Sequence, residues 1–258
     1  MTGMPRVGRA LLAVAVLALC GALAEHAGAA RQSTVDCNPF YEYCDPGALP
    51  AGVYTTRYFL PGMRVSVPGR GWSSPQDSTN ELKLHPPGYS GATLLRFWVD
   101  PRLSTPCSDR VIPGQIRTPA EAVRWFRNNT NLIVSSPRRT TIAGHLAALT
   151  VDVNLSPTAP RCSPSCPTPC IDYFLFFAGT GPDVTDLASG HTPGAKDAFG
   201  SGRGELVRLY FAEIGKPSHL FVVGVDTYNK KDFAALTSVA STLLARLGLP
   251  PKLPPNHS

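Results

Sequence analysis

Residues 204–228 read GELVRLYFAEIGKPSHLFVVGVDTY. Two runs rich in Leu, Val, Phe and Tyr flank Gly215-Lys216-Pro217-Ser218, which carries the residue types that reverse a chain. Each run is of strand length, so the stretch predicts two antiparallel strands joined as a hairpin. Strands that follow one another through hairpins build antiparallel sheets. A parallel sheet would need a helical crossover between them.

The same reading extends in both directions. Downstream, Asn229 is placed to cap a helix with Asp232 at its third position. Phe233, Leu236, Ala240, Leu243, Leu244 and Leu247 then recur every three or four residues as one apolar face. Gly248 is expected to stop this helix, and Pro250 and Pro251 prevent its continuation. Upstream, Asp172–Gly179 (DYFLFFAG) is an apolar strand, and residues 180–203 form a long Gly- and Asp-rich loop. RRTTIAGHLAALTVDV (138–153) predicts a second hairpin around Ala143-Gly144, and NLIVS (131–135) a short strand before it.

Thr118-Pro119-Ala120-Glu121 is a capping box with proline at the first helical position, and it opens a helix that stops near Asn128-Asn129. Before it, Glu81–His85 and Ala92–Val99 form a hairpin. Alternation over Tyr54–Leu60 and Met63–Val67 predicts two more strands about Pro61-Gly62. The sum is an α+β domain: a central antiparallel sheet with helices packed on it.

The first thirty residues have a different character. Arg6 and Arg9 precede an apolar run from Ala10 to Ala24, and small residues cluster at Ala27–Ala30. That is the layout of a secretory signal peptide. The run is short of the ~20 residues that span a bilayer. The expected organisation is a signal peptide over 1–30 and an irregular, disulfide-pinned leader over 31–50. A single domain follows over 51–248, with a Cys/Pro-rich insertion at 155–171, and then a flexible tail over 249–258. Leu19 is too large to precede a lipidated cysteine, so Cys20 is expected to leave with the signal. Membrane contact would require that the signal be retained or that Cys20 be lipidated.

Seven cysteines become six after cleavage: Cys37, Cys44, Cys107, Cys162, Cys166 and Cys170. An even set in an exported chain is expected to form disulfides. Cys37 with Cys44 is the first pairing expected, with Cys107 bridging to one of the three clustered cysteines. A metal reading of RCSPSCPTPC (161–170) lacks the paired knuckles of zinc sites and the spacing of iron–sulfur sites. No cofactor or metal is expected.

The formal charge of +6 is scattered, and no basic stripe interleaves with aromatics, which argues against nucleic-acid binding. The chain contains no G-x-S-x-G elbow. GSGRGE (200–205) lacks the lysine of a phosphate loop and precedes a strand, so it reads as a linker. His85, His145 and His219 read as surface histidines. His191 shares the long loop with Asp183 and Asp186, and this group is the alternative site, for a cation or for hydrolysis.

Three phrases carry a resemblance: YFLPGMRVSVPGRGW, the capped helix TPAEAVRWFRNN followed by LIVSSPRRTTIAGHLAALTVDV, and HLFVVGVDTYNKKDFAALTSVASTLLARL. Over roughly residues 50–248 the chain resembles actinobacterial-type secreted proteins of uncertain function. More distantly it resembles the PsbP-like fold, which includes the LpqN-type envelope lipoproteins. The resemblance implies an α/β/α sandwich and a non-enzymatic role in binding or assembly outside the cytoplasm. It carries over no functional residue. The chain departs from the LpqN type in lacking a lipobox and in carrying the cysteine insertion.

The function expected is therefore a secreted or envelope-associated binding module, with an envelope protein or a small ligand as its partner. A secreted hydrolase centred on the 180–203 loop and a purely structural envelope protein are the alternatives.

Overall fold

The hairpin of residues 204–228 lies in the middle of a nine-stranded antiparallel sheet. The computed structural model describes residues 47–49, 51–78, 81–89, 93–103, 116–160, 173–177, 198–250 and 253. In chain order the first elements are β1 (Gly47–Leu49), β2 (Gly52–Thr55), β3 (Arg64–Val67), β4 (Trp72–Asp77), β5 (Glu81–His85), β6 (Leu94–Val99) and β7 (Arg102–Leu103). Next come α1 (Pro119–Asn128), β8 (Leu132–Val134), β9 (Arg138–Ile142), β10 (Leu146–Leu155) and β11 (Tyr173–Phe177). The last are β12 (Ala198–Ser201), β13 (Leu206–Ile214), β14 (His219–Thr227) and α2 (Phe233–Ala245).

The main sheet runs β1-β4-β5-β6-β14-β13-β10-β8, with β9 beside β8 along the same edge of β10. Every pair in it is antiparallel. Two smaller sheets, β12-β11-β7 and β2-β3, complete the strands.

Alternation along the central strands feeds two cores. Phe221, Val223 and Val225 of β14 join Leu95, Phe97 and Tyr210 on one face, against Leu236, Ala240, Leu243 and Leu244 of α2. Leu220 and Val222 join Trp98, Leu209 and Phe211 on the other, against Ala122, Val123 and Phe126 of α1. The helices therefore lie on opposite faces, and β14 is buried along its whole length.

The α1 signature forms as expected. Thr118 Oγ1 accepts from the Glu121 N–H, and the Glu121 carboxylate accepts from the Thr118 N–H. At α2 the expected cap is displaced. Asp232 takes the cap position without a side-chain capping bond, while Asn229 accepts from the Lys231 N–H in a turn ahead of the helix. Gly248 does not cap α2 either. It exchanges two backbone hydrogen bonds with Arg64, which ties the end of α2 to β3. The β9–β10 turn is fastened to the same helix, because the Ala143 N–H donates to the Leu244 carbonyl.

Several boundaries differ from the sequence reading. The strand expected through Leu60 ends at Thr55, because Asp77 draws the Arg57 and Phe59 N–H groups onto its carboxylate. Leu60 then turns with φ +40°. The sheet begins at Gly47, inside the segment read as leader, where β1 pairs with β4. The end of the 180–203 loop contains a strand, β12. In the segment read as a flexible tail, Leu253 packs against the α2-side core.

Gly224 marks a close approach. A Cβ built there would lie 2.9 Å from two ring carbons of Trp98. Trp98 also packs against Phe199, ring centroids 4.9 Å apart. We expect Gly224→Ala to destabilise the domain by about 1–3 kcal/mol through overpacking, read as a lowered urea midpoint with an unchanged slope. Thr118→Ala removes only a cap and should cost about 1 kcal/mol in the same assay.

Candidate functional site: a buried charge cluster under the small sheet

The residues singled out from the sequence lie outside the described residues. This holds for Cys37, Cys44, Cys107, Cys162, Cys166 and Cys170, and for His191, Asp183 and Asp186. The register nevertheless relates the segments that carry four of the cysteines. Arg102 and Leu103 pair with Phe177 and Phe176, so the chain leaves β7 at the end of the small sheet where β11 begins. Tyr173 pairs with Ser201, so the turn from β12 into β13 lies at that end too. Leu103 at the end of β7, Tyr173 at the start of β11 and turn 202–205 thus lie toward one end of the small sheet.

Beneath that sheet the α1-side face of the main sheet changes from apolar to charged. Arg96 lies on this face between Leu94 and Trp98 of β6, facing Lys83 of β5 and Gly224 of β14. Glu81, Asp226 and Glu205 are buried, at 2%, 1% and 5% exposure. Arg96 Nη1 lies 3.5 Å from Glu81 Oε1, and its Nε lies 3.4 Å from Asp226 Oδ1. Lys83 Nζ is 2.9 Å from Glu81 Oε2. The Phe199 ring covers the guanidinium at 5.5 Å. That is a favourable cation–π placement for a desolvated charge.

The charges adjust to burial. Desolvation raises the Glu81 carboxyl above the usual range, although Arg96 and Lys83 oppose it. Desolvation also raises Asp226. Glu205 is pushed up to about 8, by burial first and by the Asp226 charge second. Burial works against the charge on Arg96, but Asp226, Glu81 and Glu205 outweigh it and hold the guanidinium above its ordinary value. Three acids therefore face two bases in an enclosed space.

Turn 202–205, the motif read as a linker, is fastened at both ends. Glu205 Oε2 accepts from the Gly202 N–H at 2.7 Å. Arg203 donates to the carbonyls of Pro157 and Ala159 at 3.0 and 2.7 Å, within the segment read as the Cys/Pro-rich insertion.

His219 is another correction. It is buried, not on the surface, and its Nδ1 lies 2.6 Å from Asp100 Oδ2. Asp100 Oδ1 also accepts from the Leu220 N–H, which clamps the β6–β7 corner to the start of β14. His85 is half-buried, and His145 is exposed as expected.

Sequence reading passed over Glu81, Arg96, Glu205 and Asp226. The available signal was periodicity. Arg96 and Asp226 each fall where alternation places a core residue, and their charges are opposite. The cluster can hold protons and orient strands. Among the described residues no group of three His, Cys, Asp or Glu side chains is arranged to hold a metal ion. No described helix is long and apolar enough to cross a membrane. No family model matches the chain, and neither a curated protein nor a solved structure matches it.

Removing the guanidinium would leave Glu81 and Asp226 buried with Lys83 as the remaining base of the cluster. We expect Arg96→Met to cost about 3–5 kcal/mol at neutral pH, measured by urea unfolding. The deficit should narrow in acid, where the two carboxyls are neutral and no longer require a cation.

Proposed function

We propose that this chain is an exported binding or accessory domain, stapled by disulfides, that works at or beyond the cell surface without catalysing a reaction. The observation that carries this reading is the use made of the buried and half-buried acids. Asp77 accepts from Tyr54 Oη and from the Arg57 and Phe59 N–H groups. Asp152 is held by Arg208 and Arg138. Asp100 clamps a strand corner with His219, and Glu81 and Asp226 surround Arg96. These groups are spent on joining strands and loops, which is the work of a scaffold. Binding then falls to the long connections, as it commonly does on a rigid sheet.

The basic, apolar and small-residue layout of positions 1–30 supports export, and the even cysteine count supports bridging. A helix on each face of an antiparallel sheet is in keeping with the PsbP-like architecture, which forms part of the same proposal. The partner is an envelope protein or a small ligand.

The test is to express the full chain in a bacterial host, isolate the exported material and measure its intact mass without reduction. Cleavage between residues 24 and 31 and a mass about 6 Da below the six-thiol value are the expected result. Retention in the cytoplasm with Met1 in place would overturn the export reading. Affinity capture from the native host with the mature protein should recover a stable partner or ligand. An activity that disappears in His191→Ala while the fold persists would instead establish the hydrolase.

A further inference from the structure

The C-terminal segment is engaged at two leucines. Leu249 and Leu253 both pack against the α2-side core. Leu253 lies directly over the turn between β13 and β14. A Cβ built on Gly215 would fall 2.5 Å from Leu253 Cδ1 and 3.0 Å from its Cγ. Gly215 also has φ +74°, so the turn needs glycine for its backbone and Leu253 needs it for room. Ile214, the residue before Gly215, is buried in the same core.

The segment is fixed at its start and held by side chains after it. Gly248 exchanges two backbone hydrogen bonds with Arg64. Beyond it, among the described residues, no hydrogen bond holds Leu249, Pro250 or Leu253. Pro250, Pro251, Pro254 and Pro255 have no N–H to give to a strand ladder. The sequence also repeats itself here, as Leu249-Pro250-Pro251-Lys252 and Leu253-Pro254-Pro255-Asn256. One Leu-Pro-Pro phrase thus delivers a leucine to the same core twice. Apolar contact is non-directional, and prolines restrict a free segment before it docks, so a leucine flanked by prolines binds at low entropic cost.

We propose that the surface over Gly215 is a recognition seat for a leucine carried on a proline-flanked segment, filled in cis by Leu253 and able to take an equivalent Leu-Pro-Pro segment of a partner protein when the tail is displaced. The short tether from Gly248 keeps Leu253 at an effective concentration on the order of millimolar, so a contact that is weak in itself holds the seat filled. The seat belongs to the folded domain and does not depend on export or on the disulfides.

The experiment uses the full chain and a synthetic peptide of residues 249–258, LPPKLPPNHS, and reads NMR line broadening of the peptide's leucine methyl signals. Wild type, with its seat filled, should leave these signals sharp. Leu253→Asp withdraws the chain's own leucine and should broaden them, whereas a peptide that itself carries Leu253→Asp should stay sharp. Adding Gly215→Asn to Leu253→Asp should abolish the broadening, because asparagine tolerates the positive φ while its side chain fills the seat. Leu253→Asp should also lower the urea midpoint of the chain with an unchanged slope. An unchanged midpoint overturns the contact on which the seat rests. Broadening that is absent with Leu253→Asp, equal with wild type, or retained with the double variant overturns the seat. If Leu253→Asp does not fold, Leu253→Ala takes its place and the same outcomes decide.

Discussion

Strand β14 has no solvent side. It pairs over nine residues with β13 and over six with β6, and alternate side chains enter the two cores. A one-residue slip in either pairing would exchange Leu220 and Val222 with Phe221 and Val223 and empty both cores at once. Other elements are fixed by reference to it. α2 covers one face and α1 the other, and the Asp100 clamp closes on its first two residues.

The charge cluster adds a second constraint on the same strand. Buried ion pairs commonly contribute little net stability, because desolvation offsets the attraction, whereas leaving one partner alone is costly. The Arg96 group works in that way. It stabilises little by existing, but it makes mispairing expensive, because Glu81 and Asp226 reach Arg96 only when β5, β6 and β14 lie in their observed register. Asp152 plays a milder version at the opposite side of the sheet. It is only partly enclosed, and Arg208 and Arg138 outweigh the burial that opposes its ionisation.

Local patterns were the legible part of the sequence. The 204–228 hairpin, the Thr118 capping box and the apolar face of α2 each announce themselves within a few turns or a few residues. What escaped depends on partners distant along the chain. The loop after Thr55 is bent by Asp77, about twenty residues on. Gly248 is engaged by Arg64, and Asn229 spends its side chain in its own turn. His219 looked like a surface residue because Asp100, its partner, is 119 residues away. Arg96 and Asp226 were hidden by a different habit. A strand reading that counts only apolar positions treats an inward charge as noise, whereas two inward charges of opposite sign on strands that pair are a site.

Chain connectivity joins these threads at one end of the small sheet. The register brings the exit of β7 beside the start of β11, and the β12–β13 turn beside both. A bridge from Cys107 to the 162–170 group, the pairing expected from the sequence, would join the chain following Leu103 to the chain preceding Tyr173. Such a bridge would close a loop of more than fifty residues, and the length of that loop is what would constrain the unfolded chain. Among the described strands the small sheet and the main one form separate ladders, so they meet through side chains, with Phe199 of β12 against Trp98 and Arg96 of β6.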